Sequence, residues 1–124
     1  MRLLLDTHVL LWWLADIEIS EEAFQAIADP ENEVHVSPVS TWEIAIKAAL
    51  GKLKAPQNLL EGIAVNGFEP LTIKLAHGLE AGVLPPHHRD PFDRMLIAQA
   101  RLDELTLVTR DARFADYGVR YIAA

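Results

Sequence analysis

Short apolar runs alternate along the chain with longer segments of helical periodicity, and this alternation constrains the fold more than any other feature of the sequence. The runs have the length and composition of β-strands, and most are followed by a helical pattern. They are Arg2–Leu5, Glu33–Val36, Phe68–Ile73, Leu105–Thr109 and Val119–Ile122. Strands that alternate with helices predict an α/β fold. We therefore predict that residues 1–124 form one domain, with a central parallel sheet of four to five strands and helices on both faces.

Capping residues define the predicted helices between these runs. Ser20 is a candidate N-cap, Ser37 precedes a proline at a first helical position, and Gly51 is a candidate C-cap. The helical segments predicted in this way are 7–15, 21–29, 38–50, 56–65, 74–80 and 92–103, with a loop at 82–89.

The composition limits the chemistry that the chain can perform. Of its 124 residues 51% are hydrophobic, which is enough for one well-filled core. It has no cysteine, which excludes disulfides, thiol catalysis and cysteine-ligated metals. No apolar run approaches the roughly 20 residues that span a bilayer, and we see no targeting segment, so we expect a cytoplasmic protein without membrane contact.

Acidic residues follow the predicted strands. Asp6 comes directly after the first apolar run, and Asp111 lies just past the fourth. The carboxyl ends of parallel strands meet at one edge of a sheet, so both carboxylates are expected there if their strands are neighbours. Glu43, in the helix after the second strand, belongs to the same edge. An exposed Glu43 that pairs with Lys47 one turn later is the competing structural explanation.

The helix that begins after Pro91 adds two more acids. Asp90 has an ordinary structural explanation as the N-cap. Asp93 shares its helix face with Leu96 and Ile97, so this carboxylate should turn inward. A buried carboxylate needs a partner.

Carboxylates this close together repel one another, and no run of lysine or arginine accompanies all of them. Hard divalent cations such as Mg²⁺ and Mn²⁺ prefer carboxylate and water oxygens. We therefore predict an acidic metal pocket. Such a pocket suits phosphodiester hydrolysis, because a metal ion activates water and stabilises phosphoryl charge. The sequence leaves open whether one ion binds or two.

Four segments of the chain match a known family. They are LLLDTHVLLWWL, SPVSTWEIAIKAALGKL, HHRDPFDRMLIAQA and LTLVTRDARFADYGV. On these motifs essentially the whole chain resembles the PIN-domain ribonucleases, and in particular the VapC-type toxins of bacterial toxin–antitoxin pairs. The resemblance implies a single PIN-like domain and Mg²⁺-dependent hydrolysis of RNA phosphodiester bonds. It also implies neutralisation by a cognate antitoxin.

The resemblance also implies roles for the acidic residues. Asp6, Asp93 and Asp111 would hold Mg²⁺, or Mn²⁺ in its place. Glu43 would position or deprotonate the attacking water, directly or through a second ion, and it is a further candidate metal ligand. Asp90 is the additional acid of the subgroup that carries the DPFDR motif, whether it acts as a ligand or only as an N-cap.

Further expectations follow from the same resemblance. Thr109 stands where the family often has a hydroxyl near the metal. The implied substrate is structured RNA, such as tRNA or ribosomal RNA. The implied partners are a second copy of this chain and an antitoxin, a segment of which covers the active-site groove.

Three other protein classes compete with this interpretation. A haloacid-dehalogenase-like phosphatase also has an Asp after its first strand, but it has a second acid two positions later, where this chain has His8. A response-regulator receiver domain needs a phosphoacceptor Asp after its central strand, and no Asp lies between Asp29 and Asp90. The third alternative is a catalytically inert PIN-like binding module.

The histidines and the aromatic residues have competing explanations too. His77, His87 and His88 match no helical zinc motif, so we interpret them as ordinary loop or surface histidines. His8 is expected near the pocket without contacting metal. The first helix is unusually apolar because of Leu10, Trp12 and Trp13, which either fill the core or line an interface.

The net charge bears on whether RNA can bind. A formal charge of -7 repels phosphate backbones at long range and argues against a passive nucleic-acid clamp. Five of the 18 acidic residues, however, belong to the proposed metal site. Arg89, Arg94 and Arg110 each stand next to an acid or one turn from it. We therefore expect the negative charge to be concentrated where a cation offsets it.

Overall fold

The computed structural model describes residues 1–124 and contains one sheet of five parallel strands. The strands are β1 (Arg2–Leu5), β2 (Glu33–Val36), β3 (Glu69–Pro70), β4 (Thr106–Thr109) and β5 (Tyr121–Ala123). Their order across the sheet is β3-β2-β1-β4-β5, so β1 lies at the centre and pairs with both β2 and β4. The predicted α/β fold with a parallel sheet is confirmed.

Helices cover both faces of the sheet. They are α1 (Thr7–Leu14), α2 (Glu21–Ala28), α3 (Pro38–Ala49), α4 (Leu59–Val65), α5 (Leu75–Val83) and α6 (Pro91–Leu102), with a 3₁₀ helix at Ala112–Tyr117. Successive side chains of a strand point to opposite faces. Leu3 and Leu5 accordingly pack in one core cluster with residues of α1, α2 and α4, whereas Leu4 packs in a second cluster with residues of α6. Both clusters are apolar and fully buried at their centres.

Several element boundaries differ from the sequence prediction for physical reasons. The predicted strand 68–73 shortens to Glu69–Pro70, because this edge strand pairs only with β2 and Pro70 has no N–H to extend the ladder. Helix α5 continues to Val83 into the predicted loop. Its C-terminal carbonyls are capped by the guanidinium of Arg94 from α6, a tertiary contact without a local signal.

The strand order positions the site. The chain builds β1, β2 and β3 in one direction across the sheet and then returns to place β4 on the other side of β1. Sites in open α/β sheets form at such a reversal, outside the carboxyl ends of the strands. Here that point lies where β1 and β4 end, at Asp6 and Asp111. None of the helices is both long and apolar enough to cross a membrane.

Candidate metal centre

A pocket of about 700 Å³ opens where β1 and β4 end. Its lining combines acidic groups with arginine and histidine side chains. The carboxylates are those of Asp6, Asp90, Asp93 and Asp111, and the nitrogen-bearing side chains include His8, His88, Arg89, Arg110 and Arg113. The expected position of His8 beside the pocket is therefore confirmed.

Asp6 connects the sheet to the pocket. Its backbone N–H donates to the carbonyl of Val108 at 3.0 Å, so it continues the pairing of β1 with β4 before α1 begins. The side chain is buried, and its Oδ2 accepts a hydrogen bond from Thr109 Oγ1 at 2.8 Å, whereas its Oδ1 has no partner. Burial raises the pKa of this carboxyl above its ordinary value, and the bond from Thr109 acts in the opposite direction.

Thr109 links two of the candidate ligands. While its hydroxyl donates to Asp6, it also accepts a hydrogen bond from the backbone N–H of Asp111 at 3.0 Å. The side chain is fully buried. The hydroxyl that the family resemblance places near the metal thus contacts a candidate ligand directly.

Asp111 is held by Arg113. It caps the 3₁₀ helix by accepting from the backbone N–H of Arg113 at 3.0 Å, and the guanidinium binds both of its oxygens, with Nε to Oδ1 at 3.0 Å and Nη2 to Oδ2 at 2.7 Å. These bonds lower the pKa of Asp111 to about 2. The carboxylate is therefore charged at neutral pH.

Asp93 has the opposite environment. Burial, together with the negative charges of Asp6, Asp90 and Glu43, raises its pKa to about 8. A carboxyl that retains its proton among other acids marks a place where an added cation is favoured.

Asp90 precedes α6 as its N-cap. Its Oδ1 accepts from the backbone N–H of Phe92 at 2.8 Å and, more weakly, from that of Asp93 at 3.4 Å. The N-cap role is confirmed, and a role as a metal ligand stays a prediction.

Glu43 lies behind the pocket rather than in its lining. Its Oε2 pairs with Lys47 Nζ at 2.5 Å, as predicted for residues one turn apart, and this bond raises the pKa of the lysine. The exposed Glu43 of the competing explanation is wrong, because α3 packs against α1 and α6 and leaves this side chain only 2% exposed. Its Oε1 is buried without a partner, and its charge acts on both Asp6 and Asp93.

The interpretation of His88 as an ordinary loop or surface histidine is wrong. The side chain is buried, and its Nε2 lies 2.9 Å from Asp93 Oδ2 and 3.1 Å from Asp111 Oδ2. Ligand atoms of these three residues lie within 4.8 Å of one another. Sequence reasoning missed His88 because a loop has no periodicity, and its place two residues before the N-cap Asp90 is the only signal.

His77 is also buried, contrary to the sequence interpretation. Its Nδ1 accepts from the backbone N–H of Lys74 at 2.8 Å, and its Nε2 lies 3.1 Å from Asp103 Oδ1. Both ring nitrogens therefore have partners within the fold.

The predicted site residues fall into two groups. Asp93 and Asp111 form one cluster with His88, and Asp6 and Asp90 line the same pocket. Glu43 adjoins this set from behind.

Some of the arginine and aromatic residues named above line the pocket, and others lie elsewhere in the fold. Arg89 and Arg110 line the pocket, whereas Arg94 turns its guanidinium to backbone carbonyls before α6. Leu10 is fully buried in the core. Trp12 lines the pocket beneath Arg110, whose guanidinium carbon lies 3.9 Å from the ring centroid. Trp13 is partly buried and lines a separate groove.

The donor set fits a hard divalent cation. Oδ1 of Asp6 and Oε1 of Glu43 are buried without hydrogen bonds, and an unsatisfied buried group costs about 1–3 kcal/mol or more if charged. Lys47 and Arg113 each bind one of the acids, and Asp93 remains without a lysine or arginine partner. A cation held by carboxylate oxygens would satisfy these groups together.

Comparison with known proteins gives a consistent result. The sequence matches the family described as PIN domain over residues 3–119. It is similar to Ribonuclease VapC22 of Mycobacterium tuberculosis (strain ATCC 25618 / H37Rv), with 32% identity over 122 residues, covering 92% of this chain and 90% of that protein.

Solved structures share the fold at low sequence identity. VapBC2 from Rickettsia felis, bound to a DNA fragment from its promoter, has a TM-score of 0.73 at 14% identity and covers 99% of this chain and 98% of that one. DNA-bound VapBC from Salmonella typhimurium has a TM-score of 0.71 at 19% identity, with the same coverage.

Proposed function

This chain belongs to the PIN-domain family, and from that premise we propose that it is a Mg²⁺-dependent endoribonuclease that acts as the toxin of a toxin–antitoxin pair. The similarity to a named VapC ribonuclease over nearly the whole of both chains supports this proposal. The observation that carries it is the pocket at the β1–β4 reversal, in which four carboxylates converge and one of them, that of Asp6, has a buried oxygen without a partner.

The residues of the pocket have separate tasks. Asp6, Asp93 and Asp111 would hold Mg²⁺, for which Mn²⁺ can substitute, and the ion supplies water activation and stabilisation of phosphoryl charge. Glu43 is the candidate base, because Oε1 is available to accept a proton or orient water while Lys47 occupies Oε2. The hydrogen bond from Thr109 holds Asp6 Oδ2, so Oδ1 is the oxygen left for a ligand.

The rim of the same pocket suits a polyanionic substrate. Arg89 and Arg110 line it together with His8 and His87. Guanidinium groups bind phosphate through paired N–H donors, so the rim can hold the RNA backbone around the acidic floor. We propose structured RNA, such as tRNA or ribosomal RNA, as the substrate.

The test of this function is RNA cleavage by an Asp6→Asn variant. We expect the variant to lose at least about 100-fold of the Mg²⁺-dependent cleavage of a structured RNA, while its circular dichroism spectrum stays that of the wild type. Asp116→Asn makes the same change at an exposed position outside the pocket and should cleave at the wild-type rate. Wild-type cleavage by Asp6→Asn would show that the site is assigned wrongly.

A groove next to the pocket supports the proposal of an antitoxin partner. It measures about 640 Å³ and is lined by Trp13, Ile17 and Phe24, with Asp16 and Glu18 among its acidic residues. A partner segment with an apolar face and basic flanks fits this surface. Trp12, the neighbour of Trp13, lines the acidic pocket, so a segment that leaves the groove there can continue over the site.

Helix α5 supports the proposal of a homodimer. Leu75, Leu79 and Val83 follow one another at intervals of one helical turn and are 94%, 77% and 79% exposed. An apolar stripe of this kind on a helix surface marks an interaction site. We propose that a second copy of the chain covers it.

A further inference from the structure

We propose that His88 is a positioning residue of the nuclease site: the loop between α5 and α6 is anchored so that the Nε2 N–H of His88 donates to Asp111 while the same nitrogen lies against Asp93, and this sets the spacing of the two carboxylates. The inference rests on the proposed function, because it concerns the same carboxylates. It assigns a task to three residues that the catalytic proposal leaves unused, namely His88, Arg94 and Tyr117.

Hydrogen bonds determine which nitrogen of His88 faces the carboxylates. The backbone N–H of Asp90 donates to Nδ1 at 3.3 Å. Nδ1 is therefore the acceptor, and Nε2 carries the proton of the neutral ring. Nε2 donates to Asp111 Oδ2 at 3.1 Å and lies 2.9 Å from Asp93 Oδ2, so one ring nitrogen contacts an oxygen of each residue.

Arg94 anchors the loop from α6. All five of its N–H donors point to backbone carbonyls at 2.7–3.1 Å. The acceptors are Ala81 and Leu84 at the end of α5, Pro85, and His88 itself. A guanidinium with every donor used in this way is a structural group, and it ties the backbone of His88 to the helix that carries Asp93.

Tyr117 anchors the loop from the opposite side. Its hydroxyl accepts from the backbone N–H of His88 at 2.7 Å and donates to the carbonyl of Pro85 at 2.8 Å. Tyr117 is buried at the end of the 3₁₀ helix that Asp111 caps. The loop is therefore fixed to the elements that carry both carboxylates.

This arrangement matters because the two carboxylates have no other connection. Asp93 comes from the first turn of α6, and its side chain makes no hydrogen bond and has an ion-pair contact with His88 alone. Asp111 follows β4 and is otherwise bound by Arg113, which is exposed. Partners that orient ligating carboxylates typically contribute 10–100-fold to metal affinity. His88 is the group that can do so here.

The first test measures Mn²⁺ binding to the full chain by electron paramagnetic resonance. Tyr117→Phe removes only the hydroxyl that holds the loop, and we expect its Kd for Mn²⁺ to rise about 10-fold or more. Tyr121→Phe is the matched control, because the hydroxyl of Tyr121 makes no hydrogen bond. The Kd of this variant for Mn²⁺ should therefore not change. An unchanged Kd in Tyr117→Phe would overturn the anchoring role.

The second test separates positioning from ligation. His88→Gln keeps an N–H donor near the position of Nε2, whereas His88→Leu keeps none. We expect His88→Leu to weaken Mn²⁺ binding about 10–100-fold and His88→Gln to stay within about threefold of the wild type. At subsaturating Mn²⁺, RNA cleavage by His88→Leu should fall in proportion to its weaker Mn²⁺ binding, and cleavage by His88→Gln should fall less.

The possible results separate this inference from the proposed function. Equal weakening in His88→Gln and His88→Leu would show that His88 binds the ion itself, and no weakening in either would show that it has no role, so both results overturn the inference. Either result leaves the nuclease proposal standing if the wild type binds Mn²⁺ and cleaves RNA. A wild type that binds no Mn²⁺ would overturn both.

Discussion

At the scale of single residues, Asp93 carries a large electrostatic cost. Burial and four neighbouring acids raise its pKa from 3.8 to about 8 in the metal-free protein. Between these two pKa values the folded chain holds a proton on Asp93 that the unfolded chain has lost. The free energy of unfolding therefore falls as pH rises, and the stability that this proton contributes is lost once the pH exceeds the folded-state pKa. A bound cation favours the charged carboxylate and so offsets the loss of stability that ionisation of Asp93 causes.

The resulting pH dependence can be measured by thermal unfolding. We expect the Tm of metal-free protein to fall by about 5 °C between about pH 6.5 and pH 8, and to recover when Mg²⁺ is added. The range begins at about pH 6.5 because burial lowers the pKa of His35, which changes stability in the opposite direction at lower pH.

Asp93→Asn provides the control for this experiment. Asparagine carries no charge at either pH, so the fall in Tm should become clearly smaller, and Mg²⁺ should stabilise the variant less. The same fall in Tm in the variant would contradict the assignment of this titration to Asp93.

Some site residues could be predicted from the sequence because local rules identify them. Asp6 follows a strand, and Asp93 shares a helix face with apolar residues, so position alone placed both in the pocket. His88 and Arg94 could not be predicted, because they lie in or bind an irregular loop. Which groups they contact depends on how α5 and α6 pack, and no periodicity in the sequence encodes that.

At the scale of elements, the sequence predicted helices and strands better than it predicted their ends. Capping residues such as Ser20 and Ser37 start their helices as expected, with side chains that accept from backbone N–H groups. The end of α5 was set instead by Arg94, and the strand at Glu69–Pro70 was limited by its edge position. Local capping signals thus determine where these two helices begin, and tertiary contacts determine how far α5 and the edge strand extend.

The groove between α1 and α2 and the apolar stripe on α5 should bind different partners. Phe24→Asp places a charge in the groove between α1 and α2, where Phe24 is 47% exposed. We expect it to weaken binding of the proposed antitoxin by at least about 10-fold, because it adds a carboxylate to a groove that is already acidic. Ribonuclease activity should be unchanged, since the groove does not include the pocket.

Leu79→Asp is the matched variant for the stripe on α5. It should convert a dimer to a monomer in light scattering while leaving antitoxin affinity within about threefold, and Phe24→Asp should leave the dimer intact. The assignment of two separate surfaces would be contradicted if either variant lost both antitoxin binding and dimerisation. It would also be contradicted if neither variant lost either property.

At the scale of the whole molecule, the decisive feature is the pairing of distant segments. Leu3 lies beside Thr106 in the sheet, so Asp6 and Asp111 meet although about a hundred residues separate them in sequence. The alternation of strands and helices predicted the parallel sheet, but it could not give the order β3-β2-β1-β4-β5. That order depends on packing between distant segments, and each core cluster combines residues from several parts of the chain.

The distribution of charge is also a property of the whole chain. The net charge of -7 includes the acids that converge on one pocket, which arginines border. Long-range attraction of RNA should therefore be weak, and binding should depend on a cation and on the rim.

Diffraction from crystals soaked in millimolar Mn²⁺ tests the central claim most directly, because anomalous scattering locates the ion without reference to activity. We predict a peak in the pocket within about 2.5 Å of carboxylate oxygens of Asp6, Asp93 and Asp111. No peak in the pocket, or a peak bound only to residues outside it, would contradict the assignment of this site as a metal-dependent nuclease centre.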